Sequence, residues 1–275
     1  MPEHSGSDPP VVSFLSDFGL TDEFVGVCKA VVLRAAPSAR IIDITHGITP
    51  FDVRAGALAL ARSVQYLPPG VVLAVIDPGV GTERRAVAAE VETGFLVGPD
   101  NGLLAPAVAM LGGATRAVAL TNPEYQLEAP GATFAGRDIF APAAGYLAAG
   151  TPLEKLGESV DPMSLMPGMV PLPTDEGGRA VGEVLWVDRY GNAQLNIDPG
   201  DLVALGVEPG GPVEIRCGQD RRMGRWVGSY AEARPLEVGV VVDSYGLVSL
   251  TLDRRPAADE LGLHAGSAVT LGPGA

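Results

Sequence analysis

The residues best equipped for chemistry fall in one loop, Asp77-Pro78-Gly79-Val80-Gly81-Thr82-Glu83-Arg84-Arg85. A carboxylate and two guanidiniums sit there on backbone that glycine lets approach a ligand closely. Such a pairing of charges can orient a polar nucleophile or hold an anion. A solvated turn leaving a strand accounts for the same residues equally well. The arrangement recurs elsewhere in the chain. Ser16-Asp17-Phe18-Gly19 and Pro99-Asp100-Asn101-Gly102 again put a carboxylate at a strand exit, and Thr133-Phe134-Ala135-Gly136-Arg137-Asp138 stands before an alanine-rich segment. That last segment fits a site loop, or simply an N-capped helix with a local ion pair.

Carboxylates at strand exits need a sheet to hold them. Residues 11–15, 40–44 and 71–76 are apolar runs of strand length, and all three are expected to be buried strands. Between them, residues 24–36 and 51–66 carry helical apolar spacing, the first preceded by Thr21-Asp22-Glu23 as its cap and stopped by Pro37. This alternation predicts an α/β domain. Residues 86–91 and 94–98 read as a hairpin, 103–111 and 139–149 as helices, and 117–120 as a short strand. From Pro162 onward prolines, glycines and methionines accumulate and periodicity is lost. Beyond that stretch, residues 179–187, 212–217, 225–230, 238–243 and 247–252 are short alternating runs, five strands of a small all-β barrel. The expected organisation is a disordered tail over 1–10, an α/β domain over 11–165, a linker over 166–178 and a barrel domain over 179–275.

The 275 residues carry a formal charge of −14, which disfavours duplex nucleic acid and anionic membrane surfaces as partners. No apolar run approaches the roughly 20 residues that span a bilayer. Cys28 and Cys217 lie far apart with no ligand-spaced neighbours, so neither a metal site nor a disulfide is expected, and a reducing, cytoplasmic compartment is.

Taken together, Phe14-Leu15-Ser16-Asp17-Phe18-Gly19, Thr45-His46-Gly47-Ile48-Thr49-Pro50, Asp77-Pro78-Gly79-Val80-Gly81-Thr82, Pro99-Asp100-Asn101-Gly102, Thr133-Phe134 with Gly136-Arg137-Asp138, and Asp188-Arg189-Tyr190-Gly191-Asn192 resemble the S-adenosylmethionine hydroxide adenosyltransferases, relatives of the bacterial fluorinase and chlorinase. The motifs occur in the family's order from Val11 to Leu271. The resemblance implies an N-terminal α/β domain with a mainly parallel central sheet and a C-terminal β-barrel. It also implies a homotrimer with ligand sites between subunits. The implied reaction cleaves S-adenosylmethionine to adenosine and L-methionine, hydroxide displacing the sulfonium at ribose C5′, with no cofactor because S-adenosylmethionine is the substrate.

In that family an Asp, an Arg and a His orient the water. Asp77 and Arg84 stand at the first two positions, and Ala135 stands where the motif reads Thr-Phe-His-Gly-Arg-Asp. A methyl can neither donate nor accept, so impaired turnover is expected. The alanine is read as natural divergence toward slow turnover or another nucleophile, or as a deliberate replacement made to trap a ligand, which the intact neighbouring motifs favour. By the same resemblance Asp17 holds the ribose hydroxyls, Phe51 packs on the substrate, and Thr133 and Phe134 line the C5′ side. Asp188 pairs with the methionine ammonium, Tyr190 packs on adenine, Asn192 reads its polar edge, and Ser244 holds the methionine carboxylate. Tyr245 replaces the arginine that follows this serine in halogenases. Taken singly, Phe51 and Tyr190 are as compatible with packing, and His46 with a hydrogen-bonded structural role. A halide-using adenosyltransferase and a non-catalytic S-adenosylmethionine or adenosine binder are the alternatives. Asp77 counts against the first, because a carboxylate repels chloride.

Overall fold

A computed structural model of the chain describes residues 9–274. The expected tail lies outside the described residues except for Pro9 and Pro10. The chain divides after Met169 into two compact units.

In the first unit, β1 (Val11–Ser16), β2 (Arg40–Thr45) and β3 (Gly70–Val75) alternate with helices α1 (Phe24–Ala35) and α2 (Val53–Val64). The antiparallel hairpin β4 (Ala86–Val91) and β5 (Gly94–Pro99) follows, then α3 (Ala105–Met110), β6 (Arg116–Ala119), α4 (Ala141–Ala148) and β7 (Glu158–Val160). The sheet order is β2-β1-β3-β5-β4-β6-β7. The four strands from β2 to β5 are mutually parallel, and β4 and β7 alone run against them, so the sheet is mostly parallel as expected.

Strand alternation explains how both faces are covered. Val71, Leu73 and Val75 pack with Val25, Val31 and Val32 of α1 and Ala144 and Leu147 of α4. Val72, Ala74 and Ile76 pack with Ala57, Leu60 and Val64 of α2 and Ala107 of α3. Each fully buried Leu or Ile contributes about 1.5–3 kcal/mol relative to exposure, and Leu60, Leu73 and Ile76 are all completely covered.

Two local expectations are corrected. The run 40–44 is not a buried strand: β2 is an edge of the sheet, flanked by β1 alone, and Arg40, Ile42 and Asp43 are exposed. Thr21-Asp22-Glu23 supplies no side-chain cap to α1. Glu23 at the cap has φ −72° and ψ −5°, already helical, so its side chain is not turned back on the first turn.

In the second unit, β8 (Thr174–Asp175) lies within the stretch expected to be linker and pairs with β9 (Ala180–Val187). Then come β10 (Ala193–Leu195), α5 (Pro199–Ala204), β11 (Pro212–Cys217), β12 (Asp220–Val227), β13 (Val238–Val242), β14 (Val248–Thr251), α6 (Ala257–Glu260) and β15 (Ala268–Pro273). The order β10-β14-β13-β12-β11-β15-β9 closes on itself through β9–β10 pairing, which makes a seven-stranded barrel. Five strands were expected; β10 and β15 are the additions. Val184, Leu195, Val213, Ile215, Val240, Leu250 and Leu271 fill its interior.

Candidate active site

The register of the first sheet places the two leading carboxylates side by side. Ser16 of β1 pairs with Val75 of β3, so Asp17 and the residues before Asp77 leave the sheet together. They open onto a cavity of about 240 Å³, whose lining includes Asp17, Phe51, Asp77, Thr133, Phe134 and Ala135. Six residues expected from sequence to serve one site therefore meet at one place.

Asp77 is the most constrained of them. Arg84 Nε donates to its Oδ1 at 2.7 Å and Arg84 Nη2 to its Oδ2, a bidentate pair. The Asp77 side chain is 6% exposed and that of Arg84 14%. Val80 N–H returns to the Asp77 carbonyl, Thr82 Oγ1 donates to Gly79 C=O at 2.7 Å, and Gly81 takes φ 78°, so successive turns carry Arg84 back to its partner. The guanidinium also lies over the Phe140 ring, 5.1 Å from its centroid. Each carboxylate oxygen keeps a lone pair for a further donor such as water.

Asp17 meets the cavity from β1. Its Oδ2 accepts the Phe51 N–H at 2.8 Å. Phe51 has φ +70°, a sparsely populated conformation for an aromatic residue, and its ring is 71% exposed at the cavity edge. Asp52 caps α2 immediately afterwards through Ala55 N–H.

The aromatic wall joins Phe18, Phe24 and Phe134 edge-on, with centroids 5.1–5.9 Å apart. Beyond it, Ala135 opens a π-helical turn, Gly136–Phe140, that leads into α4. A Cβ at Gly136 would sit 2.8 Å from Phe18 Cζ, so only glycine lets the aromatic wall close here. Arg137 and Asp138 pair with each other at 2.6 Å. Ala135 is buried, and it also lines a second cavity of about 590 Å³ that Arg84, Gln126 and Asp138 share. The methyl thus stands between two spaces.

Pro99-Asp100-Asn101-Gly102 braces this loop from outside the cavity. Asn101 Nδ2 donates to the Ile76 carbonyl at 2.9 Å, directly before Asp77. Asp100 holds Arg85, whose guanidinium also reaches Ser164.

In the second unit, Asp188, Tyr190 and Asn192 form one turn. Asp188 Oδ1 accepts the N–H groups of Tyr190 and Asn192, and Oδ2 accepts Asn192 Nδ2, each at 2.8 Å. Asn192 Oδ1 accepts Thr251 Oγ1 at 2.7 Å. Ser244 lies apart, exposed on a second turn of the same design, in which Asp243 Oδ1 accepts Tyr245 and Leu247 N–H. Tyr190 and Asn192, with Tyr230, Arg254 and Arg255, line a cavity of about 420 Å³; Ser244 does not. Tyr230 was missed from sequence. Burial first, then the charges of Asp188 and Asp243, push its hydroxyl above the ordinary tyrosine value. The repeated Asp-x-Tyr-Gly at 188–191 and 243–246 was the signal available for pairing the two turns.

Among the described residues no helix is long and apolar enough to cross a membrane. Residues 12–157 match the SAM hydroxide adenosyltransferase N-terminal domain, and residues 182–270 match the C-terminal domain of the same family. An (R)-S-adenosyl-L-methionine hydrolase of Salinispora tropica is 44% identical over 96% of this chain and 98% of its own. A fluorinase of Actinoplanes sp. is 29% identical over 95% of this chain and 97% of its own. The crystal structure of an uncharacterized conserved protein from Thermotoga maritima aligns with TM-score 0.88 at 34% identity, covering 95% of this chain and 99% of that one. The chain is thus a member of the SAM hydroxide adenosyltransferase family.

Proposed function

We propose that the protein hydrolyses S-adenosyl-L-methionine to adenosine and L-methionine by attack of a water-derived hydroxide at ribose C5′. The observation that carries this is the bidentate Asp77–Arg84 pair beside a cavity that Asp17, Phe51, Thr133 and Phe134 also line. The sulfonium leaves as a neutral thioether, so the reaction needs no strong acid and no electrophilic cofactor. It needs an aimed, poorly solvated nucleophile. Asp77 accepts a hydrogen bond from the water, and Arg84 favours its hydroxide-like form. Asp17 takes the ribose hydroxyls, Phe51 packs on the substrate, and Thr133 and Phe134 flank C5′. Asp188 meets the methionine ammonium, Tyr190 adenine, Asn192 its polar edge and Ser244 the carboxylate. The working form is a cytoplasmic homotrimer with sites between subunits, and turnover is reduced because Ala135 gives the water no third contact.

Incubation with S-adenosylmethionine is expected to release adenosine and methionine in equal amounts. 5′-Chloro-5′-deoxyadenosine as the main product in chloride would sink the hydrolase reading. The Ala135 methyl also favours a second reading, a non-catalytic S-adenosylmethionine binder, for which tight binding is accompanied by no adenosine over hours.

A further inference from the structure

Ser16, His46, Asp43 and Lys29 form a hydrogen-bonded row behind Asp17 that the proposed chemistry does not use. Ser16 Oγ lies 2.7 Å from His46 Nδ1, His46 Nε2 3.0 Å from Asp43 Oδ1, and Lys29 Nζ 2.6 Å from Asp43 Oδ2. The residue types are those of a Ser-His-Asp nucleophile system, but Ser16 is fully buried, so no substrate reaches its hydroxyl. The row does something else. The Asp43 carboxylate only accepts, which places an imidazole hydrogen on Nε2; in the neutral ring Nδ1 then accepts the Ser16 hydroxyl, whose oxygen also accepts Phe18 N–H at 3.3 Å. The His46 carbonyl accepts Gly19 N–H at 2.8 Å, and Phe14 packs edge-on against the ring at 4.7 Å. One residue on β2's exit therefore grips both ends of the segment 16–19. Asp17 lies between those grips, and its carboxylate is tied on the far side to Phe51 N–H.

We propose that His46 is a positioning residue whose row to Lys29 fixes the 16–19 segment and thereby aims the Asp17 carboxylate at a vicinal diol in the cavity. The diol as ligand rests on the function proposed above; the fixing of the segment does not.

Two measurements separate these. The first is amide hydrogen exchange of the ligand-free protein. His46→Ala and Ser16→Ala are expected to speed exchange at Phe51 at least about tenfold, the worth of one lost hydrogen bond. His46→Asn, which keeps a polar group near the Nδ1 position, recovers part of that protection, and the exposed Asp43→Asn gives a smaller change. The second is binding of adenosine and 2′,3′-dideoxyadenosine. His46→Ala is expected to weaken adenosine about tenfold and leave the dideoxy compound unchanged. Unaltered Phe51 exchange in both alanine variants overturns the proposal, as does equal weakening of both nucleosides without recovery in His46→Asn. Wild-type protein that fails to distinguish the two nucleosides removes the diol and the proposed function with it, while the exchange result still decides the role of His46.

Discussion

Ala135 lines both cavities, and in the function proposed above its methyl leaves the water held by Asp77 and Arg84 without a third polar contact. A histidine there would supply a donor or acceptor facing the same water. Ala135→His is therefore expected to raise adenosine formation by about 10²–10⁴, measured by product release, and an unchanged rate would mean the cluster does not operate as proposed. Arg84 tests the other arm. Removing its guanidinium leaves the Asp77 carboxylate buried with no counter-charge, so Arg84→Ala should cost about 3–5 kcal/mol of stability. The double variant Arg84→Met with Asp77→Asn should recover much of that in urea unfolding while remaining inactive. At this scale the residues that line one cavity, Asp17, Phe51, Asp77, Thr133, Phe134 and Ala135, were legible because each motif had its own residue types. It did not reveal that His46 is buried beside Ser16, since neither its spacing nor its type distinguishes a positioning imidazole from a packed one.

Elements were legible where one hydrophobic period ran long enough to overrule its ends. β3, a continuous apolar run covered on both faces, was plain, and so was α2, although it was expected to begin at Phe51 and instead begins at Val53 after the Asp52 cap. β10 has three residues and β15 ends among Gly272 and Pro273, too little pattern to mark a strand without the barrel that closes around them. β2 is apolar yet exposed, because sheet order and not composition makes it an edge. A glycine is required where β3 and β5 begin. A Cβ at Gly94, whose φ is +136°, would come within 1.9 Å of the Gly70 carbonyl oxygen, a backbone atom that cannot turn aside. Gly94→Ala should therefore displace the β3–β5 pairing at the end of β3 opposite the Asp77 loop and cost about 4 kcal/mol or more, read by thermal denaturation. Near-wild-type stability would show that β3 and β5 are not held in this register.

The whole molecule carries a charge of −14, and several carboxylates are held below their ordinary range by arginines and a lysine. Glu214 on the barrel is the extreme arrangement. Burial pushes its carboxyl up, but Arg216, Arg179 and Arg221 together outweigh this and hold it low. Asp43 behaves likewise, burial being outweighed by its bonds from Lys29 and His46. A carboxyl whose folded value is depressed contributes stability that is fully present above its unfolded value, about 4.3 for Glu, and is lost as pH falls through the folded one. The melting temperature is thus expected to be flat from about pH 7 to 5 and to drop below about pH 4.5, with Glu214→Gln making the drop shallower. Assembly is the other property at this scale. Phe51 and Tyr190, both proposed to meet substrate, are 71% and 78% exposed in a single chain, and Leu20 is equally open. Aromatic rings so exposed cannot exclude bulk water from a sulfonium, and that exclusion is what the proposed displacement requires. If other copies complete the sites, light scattering should give three times the 28.3 kDa chain mass, and specific activity should fall on dilution through dissociation. A monomer whose activity per chain is independent of concentration would mean that one chain closes its own site.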